Sequence, residues 1–304
     1  MVKYKSEVIG KGGISARVVA CNYSVESNSE IITWELEYPR IIHAELMTHR
    51  VFTRNAASSR AIPVIRVLGQ VWRNPAMPVH WGKNQPGMQA KQSLKGWRLP
   101  VVKGAWKLTA KFAAGIAWVM DKCGAHKQVA NRITEPFQFI KVVLTTTEVN
   151  NWFWLRLHED ADPTIQELAR CMLESVEASK VEYLKSGQWH MPYFESGVWH
   201  DGCGTSLEDA LKISSSCCAQ VSFRSLDDSL EKANKVFGRL IESEPVHASP
   251  TEHQATPMKP VPQGTLPHGC EPGVTHVGRD GRYWSGNFRG WIQHRQLIPN
   301  NAKM

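Results

Sequence analysis

No stretch of this chain approaches the roughly 18 consecutive apolar residues that a membrane-crossing helix requires. Met1–Gly13 carries charge and glycine where a secretory leader would carry an apolar core. These two absences set the expectation of a cytoplasmic protein with no membrane partner. The seven cysteines are odd in number and contain no C-x-x-C pair, so they give no disulfide framework. Reduced thiols are expected, with the adjacent Cys217 and Cys218 as buried structural residues. His247, His253, His268, Cys270 and His276 fit no standard zinc spacing, and no metal is expected. Carboxylates are missing from one segment in particular, His49 to Arg60.

The remainder is ordinary for a globular protein. With 304 residues, 42% of them hydrophobic and 21% charged, the chain can bury a substantial core as one large domain or two small ones. A net charge of +8 and a pI near 9.1 point to polyanionic partners: nucleic acid, nucleotides or a phosphate-bearing cofactor. The segment without carboxylates lies in the most informative stretch, Ile31–Pro63. Ile31 to Tyr38 alternates with period two as a half-buried strand does, and Pro39 interrupts it. Ile41, Ile42, Leu46 and Met47 return at helical spacing, and His49, Arg50, Arg54, Asn55, Ser58, Ser59 and Arg60 follow. Guanidinium forks and hydroxyls suit phosphate geometry. A solvated basic loop, or arginines paired with carboxylates elsewhere in the chain, would show the same composition.

That cluster resembles the signature of the flavin-dependent thymidylate synthases, Arg-His-Arg-x-x-Ser-x-Asn-x-x-Ser-x-Arg. It keeps His49, Arg50, Asn55, Ser58 and Arg60, with Thr48 for the first Arg and Thr53 for the first Ser. His126–Arg132 followed by Glu135-Pro136 is similar to the family's Glu-x-Ala-Arg-x-x-Leu-Pro segment, with Gln128 for the Glu and Arg132 offset by one residue. Asn150–Arg156 resembles its Asn-x-x-x-Leu-Arg helix. Cys218–Phe223 resembles an Ala-Arg-x-Ser-Tyr stretch, and Ala248–His253 resembles Ser-Pro-Phe-Glu-His. In ordinary members these last two pieces precede the arginine-rich signature. Here they follow it, so the chain resembles a divergent, circularly permuted relative, which a fold with neighbouring termini tolerates.

Several further elements are expected. Ala16 to Tyr23 and Phe137 to Thr147 read as strands, and Val64 to Trp72 reads as a helix ended by Asn74-Pro75. Met77 to Gly87 is a Trp-bearing loop. Gly104 to Lys122 reads as an amphipathic core helix with Trp106, Phe112, Ile116 and Val119 inward and Gly124 at its C-terminal cap. Thr164 to Lys185 reads as a surface helix opened by Pro163, Ser186 to Gly204 as an ordered covering loop, and Leu230 to Ile241 as a helix. Phe288–Arg295 echoes Ala44–Arg50, and both end in His-Arg.

The resemblance implies a mixed α/β fold in one domain over residues 1–304, with the signature segments in 1–185 and the permuted piece in 205–304, assembled as a homotetramer. It implies conversion of dUMP to dTMP with methylene-tetrahydrofolate as carbon donor, FAD as hydride carrier and NADPH as reductant. Glu45, Ser58, Arg60, Gln128, Arg132 and Arg156 would bind the nucleotide, with Ser58 and Arg156 catalytic. His49, Arg50, Asn55, Asn151 and His253 would contact FAD. A folate-dependent pyrimidine hydroxymethylase adding water in place of hydride is the nearest alternative. A basic nucleic-acid-binding protein using Arg50, Arg54, Arg60 and stacked Trp residues is the alternative from another class.

Overall fold

The computed structural model describes residues 7–302 apart from 88, 223–225 and 263. Phe223, the end of one resembling stretch, lies outside the described residues. The fold is mixed α/β, as expected. Its main sheet is built from β1 (Glu7–Ile9), β2 (Ser15–Ser24), β3 (Ser29–Pro39), β4 (Thr53–Ala56), β5 (Phe139–Thr146) and β6 (Glu182–Leu184). The order is β1-β2-β3-β5-β4, antiparallel throughout, with β6 added parallel to β2. A second sheet takes β7 (Trp189–His190), β8 (Val198–Trp199), β9 (Ala255–Pro257) and, beyond the small sheet of β10 (His276–Val277), β11 (Tyr283–Ser285) and β12 (Phe288–Arg289), the strand β13 (Trp291–Gln293).

Strand alternation decides which residues meet. On β3 and β5 one pleat face carries Ile32, Trp34, Leu36, Tyr38, Ile140, Val142 and Leu144, all buried in the largest apolar cluster. This face is covered by α5 (Asn150–Arg156) and α6 (Pro163–Glu177), which follow the short α1 (His43–Leu46), α2 (Val64–Arg73), α3 (Arg98–Lys122) and α4 (Lys127–Ala130) in the chain. Trp34 is fully buried and donates its indole N–H to Ser175 Oγ at 3.1 Å. Removing such a ring from water is worth on the order of 4 kcal/mol, and the bond satisfies its one donor.

The opposite face carries Thr33, Val143 and Thr145 and is covered by residues 189–199, by α7 (Leu207–Ala219), which precedes α8 (Leu230–Leu240), and by the Thr251–Gln254 segment. A bulge between Val18 and Ala20 turns Val19 to this side against Val143, Tyr193, Cys217 and Cys218. Both cysteines are buried and free. Gly197, with φ of 92°, lets its loop lie directly on Ala20, where an added Cβ would come within 2.7 Å of the Ala20 Cβ.

Two expectations, on α3 and α6, are corrected, and two further sequence features are placed. α3 is not a core helix: Trp106, Ala110, Ala114 and Ala117 form its packed side against α2, while Phe112, Ile116 and Val119 stand exposed. The small alanines let the helices approach closely and leave the large residues outside. α6 is no surface helix, because Ile165, Leu168, Ala169, Cys171 and Met172 are buried beneath the sheet, and it ends at Glu177. Residues 186–204 are an ordered segment that covers the main sheet, and they also supply β7 and β8, with Trp189, Met191, Phe194 and Trp199 as a core of their own. The echo of Ala44–Arg50 in Phe288–Arg295 is not structural, since the first is a helix end and the second two strands leading into a 3-10 turn.

Because 205–304 supplies β9 and β13 of the second sheet and the α7 cover over Val19 and Val143, a chain ending at Gly204 is expected to lose its cooperative thermal transition. A truncated chain that melts cooperatively with full-length near-ultraviolet dichroism would show that 1–204 folds alone.

Candidate active site

The turn after α1 is held by local bonds: His49 N–H donates to Leu46 O at 3.1 Å, and the Thr48 hydroxyl donates to Glu45 O at 2.7 Å. This presents Glu45, Thr48 and His49 to Arg156 at the last turn of α5. Arg156 donates from Nε to His49 Nε2 at 3.0 Å, from Nη2 to Thr48 Oγ1 at 3.4 Å and from Nη1 to Glu45 at 3.5 Å. His49 is buried between Phe52, stacked at 5.6 Å, and the edge of Trp152 at 4.7 Å. Burial first, then the Arg156 and Arg54 charges, lower its pKa. The ring is therefore neutral, and its Nε2 lone pair is available to the guanidinium. Burial and the nearby Asp162 raise the Glu45 pKa, against the pull of Arg156. The Glu45–Arg156 contact is long and partly solvated, so it contributes about 1 kcal/mol or less and a ligand can compete for it.

Glu45 and Arg156 lie on the wall of a cleft of about 740 Å³ shared with His80, Gly82 and residues 89–91 on one side and residues 159–163 on the other. That volume suits a small organic ligand. Glu159, Asp160 and Asp162 share the wall with His80 and Lys91, which disfavours a phosphate in that cleft.

A second junction forms where the signature meets residues 127–137. Asn131 is fully buried and donates its amide to Ser59 O at 2.7 Å and Ile62 O at 3.0 Å. Ser59 donates to Glu135, which also pairs with Arg40 at 3.2 Å. Lys127 Nζ donates to Ala61 O at 3.3 Å. The Ser58–Ile62 turn is thus locked against the segment carrying Gln128 and Arg132. Arg60, Gln128 and Arg132 are exposed beside it, and Arg60 N–H donates to Ser58 Oγ at 3.3 Å. Asn131 and Lys127 carry no expected role from sequence, and Glu135 enters there only as part of the resembling segment. Nothing local marks Asn131 as the tie to a turn some seventy residues earlier.

Between the two groups, Tyr38 Oη and His43 Nδ1 share a hydrogen bond of 2.8 Å. Burial, then Arg40 and Arg54, lower His43 to about 4. Arg54 is spent internally, donating to Phe52 O at 2.5 Å, His49 O at 3.3 Å and Met47 Sδ at 2.7 Å.

β4 splits the signature. Its register pairs Arg54 with Leu144, on the face with Trp34, and pairs Thr53 and Asn55 with Thr145 and Val143, on the other face. Asn55 donates to Cys218 O at 3.4 Å, and Thr53 joins Asn287 and Gln293. His253, on the same face as Asn55, is fully buried at one end of a chain of hydrogen bonds. Asn22 Oδ1 can only accept, so His190 donates from Nδ1 (2.5 Å) and accepts at Nε2 from Thr33 (2.7 Å). Thr33 then accepts from Thr145 (2.6 Å), and Thr145 accepts from His253 Nδ1 (2.8 Å). His253 Nε2 is left as a lone pair with no partner among the described residues. Arg50 and Asn151 are exposed. The structure thus brings Glu45, His49 and Arg156 together, and separately Ser58 and Arg60 with the Gln128–Arg132 segment. It does not gather His49, Arg50, Asn55, Asn151 and His253 on one surface. Arg295, the arginine of the second His-Arg pair, is ion-paired with Glu252.

Burial, reinforced by His253, holds His190 down to about 3, against about 6.5 for a free imidazole. Between those values the unfolded chain binds the extra proton, so this contribution to stability is complete above about pH 6.5 and is lost as pH falls toward 3. His190→Gln is expected to flatten the decline in urea-measured stability between pH 6.5 and 5 by about 1 kcal/mol per pH unit. Equal slopes in the two proteins would mean that His190 is not held neutral.

No protein-family model and no curated protein matches the chain. Among solved structures it is similar to the crystal structure of a UMP/dUMP methylase, PolB from Streptomyces cacaoi, bound with 5-Br dUMP. The TM-score is 0.44 at 13% identity, covering 56% of this chain and 96% of that one. It is similar also to the same methylase bound with 5-Br UMP, with a TM-score of 0.43 at 14% identity, covering 56% and 95%.

Proposed function

We propose that this protein is a pyrimidine-deoxynucleotide methylase of the thymidylate-synthase kind, converting dUMP to dTMP with methylene-tetrahydrofolate as carbon donor and with FAD and NADPH as reductants. The observation that carries the reading is the Asn131 tie. Two segments that resemble the same family, far apart in sequence, meet through its amide bonds to Ser59 O and Ile62 O. Arg156 of a third resembling segment meets the start of the signature at Glu45, Thr48 and His49.

The nucleotide phosphate is assigned to the Ser58–Arg60 turn with Arg132, where exposed guanidiniums stand beside the turn and the Glu135 carboxylate is already engaged by Arg40 and Ser59. The base is assigned to Arg156. Its guanidinium, oriented by the neutral His49 ring, would release its weak contact with Glu45 and donate to a ring oxygen. There it would stabilise negative charge as that charge develops on the pyrimidine.

FAD, when bound, would supply the hydride. Within one chain its expected contacts do not fit as a cradle. His49 and His253 are enclosed on opposite faces of the main sheet, Asn55 is turned toward Cys218, and only Arg50 and Asn151 are exposed. The roles of Ser58, Arg60, Arg132 and Arg156 in holding the nucleotide do not depend on the flavin.

Arg60→Ala is expected to weaken dUMP binding by about 2 to 3 kcal/mol, the scale of a charge-assisted hydrogen bond, with the thermal midpoint of the free protein unchanged. Unaltered affinity by calorimetry would remove the phosphate assignment. With dUMP, methylene-tetrahydrofolate, FAD and NADPH, mass spectrometry is expected to find dTMP, and leaving out NADPH should stop turnover. 5-Hydroxymethyl-dUMP formed catalytically without reductant would instead establish the hydroxymethylase alternative.

A further inference from the structure

α3 is apolar on two opposite sides. Its alanine side packs on α2, and the other carries Val101, Ala105, Leu108, Phe112, Gly115 and Val119, spaced alternately by four and three residues. Such spacing is the seam of a helix that pairs with another helix. The seam is bare: Val101 is 57% exposed, Leu108 70%, Phe112 70% and Val119 49%, and a Cβ added at Gly115 would meet nothing within 4 Å. We propose that α3 pairs antiparallel, along this seam, with the α3 of a second copy of this chain.

The seam fits itself. A two-fold axis midway between Leu108 and Phe112 sets Leu108 of one copy against Phe112 of the other, Ala105 against Gly115, and Val101 against Val119. Large thus meets large at the centre, small meets small one layer out, and Val102 on the flank comes opposite Ile116. A parallel pairing would stack two glycines in one layer and two phenylalanines in another. The area also suits a dimer. The exposed seam and flank side chains present on the order of 500 Å² of apolar surface, at the upper end for a patch on a monomer. With the flanking lysine stems and Trp118 the face approaches the roughly 800 Å² per partner of a standard interface.

Charge is drawn off the seam. Lys111 lies over the Trp72 ring at 5.5 Å, and the terminal cations Arg98 and Lys122 lie over Trp97 at 5.9 Å and Trp118 at 6.0 Å, each on its own chain. No carboxylate occurs from Trp97 to Met120. The pairing therefore has no ion pairs to screen and should persist in about 1 M salt, whereas an acidic helix or an anionic membrane held by these lysines would be released. The inference does not rest on the proposed reaction.

The test uses the full chain in a Cys123→Ser background. Light scattering is expected to give twice the 34.2 kDa chain mass or an even multiple of it, unchanged in about 1 M salt. The variant Leu108→Glu/Phe112→Glu should halve that mass while keeping its helical dichroism. Ala105→Cys protein and Gly115→Cys protein, oxidised separately, should stay uncrosslinked through these sites, and mixing them should give a covalent dimer. Crosslinking of Ala105→Cys with itself would overturn the antiparallel pairing. An unchanged mass in the glutamate variant would overturn the seam. A wild-type monomer that binds vesicles of 30% phosphatidylserine, or an acidic helical peptide, only at low salt would assign the face to that ligand and overturn the proposal.

Discussion

The pleat of β3 is the constraint on which the rest of the structure depends. It pairs along most of its length with β2 on one side and β5 on the other, and it is buried on one face from Ile32 to Tyr38 and on the other from Ser29 to Thr33, with Glu35 and Glu37 half-buried beyond. A strand in that position must satisfy two different environments through residues that alternate strictly. Ile32, Trp34, Leu36 and Tyr38 meet an apolar helical layer. Thr33, one position away, meets a polar interior in which Asn22, His190, Thr145 and His253 are joined by hydrogen bonds. The second environment is tolerable because most of its polar atoms have partners, Asn22 Nδ2 and His253 Nε2 excepted, and both imidazoles stay uncharged.

Much of this framework was legible in the chain. Alternation from Ile31 to Tyr38 fits β3 (Ser29–Pro39), the β-branched run after Phe137 became β5, and Asn74-Pro75 does end α2. The failures share a physical cause. Periodicity reports that a helix has an apolar stripe, but not which of two stripes is covered, and α3 has two. The alanine stripe won the interior because short side chains allow close helix approach, an outcome hydrophobicity alone would rank second. α6 looked superficial because charged residues dominate its outward side, although its inward stripe underlies the main sheet. The short strands β7 and β8 were unreadable because two-residue strands show no alternation.

At the candidate site the residue types were visible, but their engagements were not. The arginines between His49 and Arg60 look alike in sequence, yet Arg54 is consumed by backbone carbonyls whereas Arg50 and Arg60 reach solvent. Arg40, outside the signature, pairs with Glu135, the carboxylate that Ser59 donates to. A net charge of +8 says nothing of this distribution. The long-range amide bonds of Asn131 likewise have no local signal, because they depend on how the chain returns after α3 and α4.

The split of β4 across the two faces changes what the spacing of the signature means. Thr53 and Asn55 look toward the histidine-lined interior and Arg54 toward the tryptophan layer only while the strand keeps its pairing with β5. Inserting or deleting one residue between Phe52 and Asn55 would exchange these exposures, sending a guanidinium into the enclosed polar layer and an amide among hydrocarbon. The intervals within this segment are therefore dictated in part by folding. A library that varies the side chains at these positions can explore chemistry, whereas one that varies the length of the segment would chiefly sample misfolded chains.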